Sequence, residues 1–282
     1  MTTLKIPESL LVLAGWGDFP RLIMEGAHAA GVKRTVMLGF KGSALRSARQ
    51  AADEARMIPF GNFEQTRKAI RESGCRHAVL AGQINPLCLF RSRTDAEFRR
   101  EIAAIGIRNA HTLFNRFIEI IEELGVEFLP SSLFMRQHIP LAGVLTDRAP
   151  TSAETADITY GNEVAMAVCN LDIGQTIVVK DGVVLAVEGF DGTDPTIKRG
   201  GRIARRGAIV IKVAKEGHDM RFDIPVIGTK TIAIMKRVGS TALSVQAGRT
   251  LLLDQPHVVA AANRAGIAII AVPSKLPAAP AF

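Results

Sequence analysis

Short apolar runs of strand length alternate with helix-length segments through the first half of this chain, and no other feature restricts its fold so sharply. Leu10 to Ala14 reads as a buried strand. Gly15-Trp16-Gly17-Asp18-Phe19-Pro20 then turns into a helix over Arg21 to Ala30, with Asp18 as its N-cap. Pro20 is tolerated in the first turn, where its missing N–H would have no partner anyway. Thr35 to Gly39 and Met57 to Phe60 read as strands, followed by a helix over Phe63 to Ser73, a strand over His77 to Ala81 and helices between Thr94 and Leu124. Strands separated by helices pair in parallel, so a Rossmann-like sheet is the economical solution.

Ligands of such sheets sit beyond the carboxyl ends of the strands, which makes Ala14-Gly15-Trp16-Gly17 and Ala81-Gly82-Gln83-Ile84-Asn85-Pro86 candidate ligand loops. The first resembles G-x-G-x-x-G but carries Pro20 where the third glycine belongs, and no acidic residue ends the second strand to hold a ribose. Backbone N–H groups at a helix N-terminus still suit a phosphate or a nucleotide.

The alternation breaks near Leu129-Pro130-Ser131-Ser132. Three segments are expected: an N-terminal domain over 1–132, a linker over 133–150 rich in Pro and Gly, and a C-terminal mixed α/β domain over 151–282. Thr151-Ser152-Ala153-Glu154 has capping-box spacing and opens a helix to about Asn170. Thr176 to Lys180 and Val183 to Glu188 flank Asp181-Gly182, a strong hairpin signal. A basic helix-like run with Lys198, Arg199, Arg202, Arg205 and Arg206 follows, with Asp194 a candidate N-cap for a helix starting at Pro195. Ala208 to Ala214 then reads as a strand, and further α/β elements extend to Val272. With 48% hydrophobic residues a full core is expected in each domain.

The apolar runs are far shorter than the roughly 20 residues of a membrane helix, and the N-terminus lacks a secretory pattern, so a cytoplasmic protein is expected. Cys75, Cys88 and Cys169 have no metal-site spacing and read as core thiols. The formal charge of +8 favours an anionic partner. One Trp and one Tyr supply little for base stacking, so a phosphorylated ligand or a membrane surface is favoured over nucleic acid.

The carboxylates concentrate between Glu188 and Asp223: Glu188, Asp191, Asp194, Asp219 and Asp223, most of them near glycine or proline. If 218–228 is extended, the period of two sets Asp219, Arg221 and Asp223 on one face. Oxygen ligands of this type suit Mg²⁺ working on a phosphate, and Lys198, Arg199, Arg202, Lys212 and Arg221 could neutralise phosphate oxygens. Turn formation, capping and a solvated helix face account for the same residues without a ligand.

Several runs together resemble the LpxI family, the UDP-2,3-diacylglucosamine pyrophosphatases of lipid A synthesis. They are Leu171-Asp172-Ile173-Gly174-Gln175, Gly182 to Gly189, Asp191-Gly192-Thr193-Asp194, Lys212-Val213-Ala214-Lys215 and Asp219 to Gly228, with Ala14-Gly15-x-Gly17-x-x-Pro20 and Ala81-Gly82 in the first half. The resemblance implies two α/β domains with an interdomain cleft and Mg²⁺-dependent hydrolysis to UMP and 2,3-diacylglucosamine 1-phosphate, water attacking the β-phosphorus. It sets the required aspartate at Asp223. Asp223, Asp194 and Glu188 are the expected metal ligands, with Arg221 and Lys212 completing the catalytic group. Gly15, Gly17, Asp18, Ala81, Gly82, Gln83, Asp191, Thr193, Gly228 and Thr229 are the expected substrate contacts. Peripheral contact with the cytoplasmic face of the inner membrane follows from the lipid substrate, and a homodimer is a candidate assembly. The rival readings are an NAD(P)-dependent oxidoreductase and a non-catalytic nucleotide- or lipid-binding protein.

Overall fold

The structure, a computed structural model, describes residues 5–41, 46–82, 94–105, 110–215, 221, 224–274 and 278–280. Gln83, Asp219 and Asp223 lie outside these residues, as does most of 218–223. The chain divides into two compact units, the first reaching Met135 and taking in Arg221 and Pro280 as well, the second beginning at Arg136.

The first unit is the expected parallel sheet. Strands β1 (Ser9–Ala14), β2 (Arg34–Phe40), β3 (Glu54–Ile58), β4 (His77–Ala81) and β5 (Glu127–Phe128) lie in the order β3-β2-β1-β4-β5, every pair parallel. Helices α1 (Phe19–Ala30), α2 (Arg46–Ala51), α3 (Phe63–Ser73), α4 (Ala96–Ala104) and α5 (Ala110–Glu122) accompany it. Helix α1 starts two residues before the expected Arg21, and Asp18 occupies the N-cap position without making a side-chain capping bond. In α3 the local signals act together: Asn62 accepts the Gln65 N–H at the start and left-handed Gly74 closes the end. Leu11, Leu13, Val36, Leu38, Ile70 and Leu80 form the core.

The second unit is a mixed six-stranded sheet in the order β6-β13-β11-β9-β7-β8. Its strands are β6 (Gly143–Val144), β7 (Thr176–Lys180), β8 (Val183–Val187), β9 (Ile209–Lys212), β11 (Ala242–Gln246) and β13 (Ala268–Val272). A separate pair joins β10 (Val226–Ile227) to β12 (Leu251–Leu252). Strands β9, β11 and β13 are parallel, β7 is antiparallel to β9 and β8 to β7. Alternation sorts the side chains: Ile177, Val179, Ile209 and Ile211 join one core with Ile158 and Ala165 of helix α6 (Ser152–Asn170). Val178, Val210, Leu243 and Val245 join the other, with residues of α7 (Thr193–Ala204), α8 (Thr229–Arg237) and α9 (Gln255–Ala265). Helices therefore cover both faces. Gly200 brings α7 against β7, since a Cβ there would lie 2.5 Å from Val178 Cβ.

The capping box at Thr151 and Glu154 is formed, and the β7–β8 hairpin turns at Asp181 and Gly182, both with positive φ. Buried Asp157 accepts both turn N–H groups, at 2.9 and 2.7 Å. The stretch expected as a linker is structured instead: a 3₁₀ turn spans Arg136–His138 and β6 pairs antiparallel with β13. Its first three residues close the first unit, and from Arg136 on it belongs to the second. The helix expected from Pro195 begins at Thr193, with Gly192 rather than Asp194 at its N-cap, because Gly192 adopts φ 87° and leaves Asp194 inside the first turn. Cys75 and Cys169 are buried, as core thiols should be.

Candidate active site

In the first unit β1 and β4 are neighbours, and the strand order reverses direction between them, which is where open α/β sheets bind ligands. Both glycine loops leave from this point. The Gly15 N–H donates to the Ala81 carbonyl at 2.7 Å, and a Cβ on Gly82 would meet the Trp16 carbonyl at 2.8 Å. With φ +87° as well, Gly82 admits no side chain without distortion. Gly17 has φ 104°, and exposed Asp18 forms a long ion pair with Arg21. The result is a backbone-lined ledge at the uncapped start of α1.

The second unit gathers the polar residues. Strands β8 and β9 run in the same direction because each is antiparallel to β7, so their carboxyl ends and the start of β7 share one edge. At that edge stand Lys212, Thr176 and Glu188, all at least nine-tenths buried. Thr193, the first residue of α7, lies between them. Lys212 Nζ donates to Thr193 Oγ1 at 2.9 Å and to the Val226 carbonyl at 3.2 Å, while Thr193 Oγ1 donates to Glu188 Oε1 at 2.9 Å. Thr176 Oγ1 is 3.3 Å from the same hydroxyl and must be the donor there, since the Thr193 proton is already used. A buried cation and a buried carboxylate are thus joined through one hydroxyl. Glu188 Oε2 is buried and has no hydrogen-bond partner among the described residues. Such an oxygen costs free energy unless something occupies it.

Two helix starts converge here. Gly192 and Gly228 are the N-caps of α7 and α8, and neither end has a side-chain cap. Asp194 and Lys230, each the second residue of its helix, pair at 2.7 Å. Uncapped N–H groups of two adjacent helices beside a buried lysine form an environment for phosphate oxygens. Glu188, Thr193, Asp194, Lys212, Gly228 and Thr229 therefore fall in one neighbourhood. Asp191 is engaged differently. Its carboxylate accepts the Gly189 N–H at 3.2 Å and pairs with Arg199 at 2.5 Å, and Arg199 also donates to the Val187 carbonyl at 2.8 Å. The Arg199 hydrogen bond holds the Asp191 carboxyl below its ordinary range. Together they clamp the loop that carries Glu188.

Arg221 pairs with Glu122 of α5 at 3.1 Å, within the first unit. No three carboxylate, histidine or cysteine side chains among the described residues form a metal-holding group, and Asp223 lies outside them. Sequence reasoning missed Thr176 and Lys230 at this edge, and it did not single out the buried Arg249. Arg249 is buried beyond β11, burial lowers its pKa, and it donates to the Lys215 carbonyl at 3.2 Å. Only Lys230 carried a local signal, as a cation two residues after a helix-capping glycine.

Two α/β units, one with a glycine-lined switch point and one with a buried Lys–Thr–Glu relay under paired helix starts, set polar donors and buried charge where phosphate oxygens could be held. The LpxI N-terminal domain model matches residues 9–138 and the LpxI C-terminal domain model matches residues 141–270. The chain belongs to the LpxI family. It is 30% identical over 278 residues to UDP-2,3-diacylglucosamine pyrophosphatase LpxI of Caulobacter vibrioides, a match covering 94% of this chain and 98% of that protein. Among solved structures, the biotin carboxylase domain of Hydrogenobacter thermophilus 2-oxoglutarate carboxylase matches with 14% identity and a TM-score of 0.26, over 71% of this chain and 42% of that one. N5-carboxyaminoimidazole ribonucleotide synthetase of Thermotoga maritima matches with 12% identity and a TM-score of 0.23, over 64% and 41%. This chain thus spans less than half of either structure, and likeness at that level carries no argument.

Proposed function

We propose that this chain hydrolyses the pyrophosphate of UDP-2,3-diacylglucosamine in a Mg²⁺-dependent reaction, giving UMP and 2,3-diacylglucosamine 1-phosphate for lipid A biosynthesis. The observation that carries the reading is the buried Lys212–Thr193–Glu188 relay, on motif positions of a family whose Caulobacter member is a UDP-2,3-diacylglucosamine pyrophosphatase. The full-length match to that enzyme supports the substrate class.

The donor set suits a hard cation, because the unpartnered Glu188 oxygen and the Asp194 carboxylate are oxygen ligands of the kind Mg²⁺ takes alongside substrate phosphate and water. Glu188 and Asp194 would hold the ion, with Asp223 added as a ligand by the family resemblance, and the ion would draw charge from phosphate oxygens and lower the pKa of water. Lys212 supplies fixed positive charge toward the phosphates, which usually dominates phosphoryl transfer. Thr193 holds the ammonium and the carboxylate in register. The family resemblance, rather than any observed proximity, is what adds Arg221 as a second cation and Asp223 as the residue that orients the attacking water or binds the metal. Gly15, Gly17, Asp18, Ala81, Gly82 and Gln83 receive the uridine nucleotide on the first unit, and Gly228 and Thr229 present backbone N–H groups to phosphate. The enzyme works at the cytoplasmic face of the inner membrane, where its lipid substrate resides.

The test is incubation with UDP-2,3-diacylglucosamine in ¹⁸O-water, with and without a chelator. Label in 2,3-diacylglucosamine 1-phosphate only when Mg²⁺ is present is the expected result. Label in UMP, or turnover indifferent to chelation, would overturn the mechanism, and absence of turnover would favour a binding protein.

A further inference from the structure

The carboxyl-terminal ends of α7 and α8 meet in a way the proposed chemistry does not use. Gly201 allows it, since a Cβ there would lie 2.3 Å from Val238 Cγ2. Arg202, Arg205, Arg206, Lys236 and Arg237 line an open concavity of about 400 Å³ between those ends. All five are exposed, and among the described residues none pairs with a carboxylate. Elsewhere on this surface arginines such as Arg21, Arg56, Arg116 and Arg199 have acidic partners. One or two cations satisfy a helix C-terminus; five without a counter-ion repel one another.

Backbone strain sits at the same place. Arg205 adopts φ 61° and ψ −47°, and the Arg206 N–H donates to the Ala204 carbonyl at 2.7 Å, closing a three-residue turn that side-chain-bearing residues rarely adopt. The Gly207 N–H, donating to the Gly239 carbonyl at 2.8 Å, ties that turn to the end of α8. Two apolar side chains border the patch: Ile203 is 56% exposed, and Val183 is 56% exposed on the hairpin whose Lys180 donates to the Ala204 carbonyl at 3.3 Å. No aromatic ring lines the concavity, so it offers nucleic-acid bases no stacking platform.

We infer that this patch docks the protein on an anionic phospholipid surface, the guanidinium groups meeting lipid phosphates and Ile203 and Val183 entering the headgroup layer. Unpaired cations beside exposed aliphatic side chains are the combination that anionic bilayers bind. The choice of lipid over another polyanion rests on the reading that the substrate lives in the membrane.

The experiment is co-sedimentation of the whole protein with phosphatidylcholine vesicles with and without phosphatidylglycerol. A variant carrying Arg206→Gln, Lys236→Gln and Arg237→Gln is compared with a control carrying Lys41→Gln, Arg46→Gln and Arg49→Gln, which removes the same charge elsewhere. Wild type and control should bind only the anionic vesicles. The patch variant should lose about 100-fold in partitioning, roughly fivefold per cation, with an unchanged melting temperature and unchanged hydrolysis of detergent-dispersed substrate. Wild type that ignores anionic vesicles, or equal losses in both variants, would overturn the inference, as would single-stranded RNA binding in place of vesicles. Patch-dependent vesicle binding without hydrolysis would count against the enzymatic reading alone.

Discussion

Lys212 Nζ stands 2.9 Å from Thr193 Oγ1, joining the last residue of β9 to the first residue of α7. A lysine at 5% exposure has lost most of its hydration, and a shared hydroxyl is what couples it to the Glu188 carboxylate. Removing that hydroxyl while keeping its shape tests the coupling. Thr193→Val should lower kcat by about 10- to 100-fold and stability by about 1–3 kcal/mol. Thr193→Ser, which keeps the oxygen, should stay near wild type in both steady-state kinetics and urea denaturation.

The same relay makes Glu188 and Lys212 energetically dependent. Glu188→Gln takes away the carboxylate that Thr193 links to the buried ammonium and Lys212→Met strands a buried carboxylate, so each single change should destabilise the fold. The double variant should lose less than the sum, with a coupling of about 1–3 kcal/mol in a double-mutant cycle. Strict additivity would mean that the two groups do not act through Thr193.

Gly82 approaches the Trp16 carbonyl and has φ +87°, so Gly82→Ala must distort the paired glycine loops. If the uridine nucleotide binds there, UMP affinity should fall about tenfold or more, read by isothermal titration calorimetry. Unchanged UMP affinity in a folded variant would move the nucleotide site elsewhere.

Stability should fall in acid through Glu154. Burial pushes this carboxyl up, but the paired Arg148 hydrogen bonds and the Thr151 N–H outweigh it and bring it from 4.5 down to about 2. A depressed folded value means stability that is present above the unfolded pKa and lost as pH falls through the folded one. The window is therefore pH 4.5 to about 2, and the contribution is about 2–3 kcal/mol. Urea denaturation across that window should show the loss, and Glu154→Gln should flatten it.

The sheet of the first unit was legible because its signals are local: Asn62 and Gly74 bracket α3, and Leu10 to Ala14 is apolar at every position. The capping box at Thr151 and the turn at Asp181-Gly182 were legible for the same reason. Strand β6 was not, because two residues have no period, and its place is fixed by backbone pairing with β13. The relay was half legible. Motif resemblance picked out Glu188, Thr193 and Lys212, but their connection depends on β8, β7 and β9 sharing one edge, a tertiary fact that spacing does not encode. Thr176 and Arg249 were missed because each looks like an ordinary strand-edge or loop residue until its burial is known.

The most direct measurement is UMP release from UDP-2,3-diacylglucosamine with Mg²⁺ present, by wild type, Lys212→Met and Asp223→Ala. Wild type should release UMP, and each variant should slow release by about 100-fold or more while remaining folded by circular dichroism. Full-rate turnover by either variant, or no UMP from wild type, would contradict hydrolysis at this site.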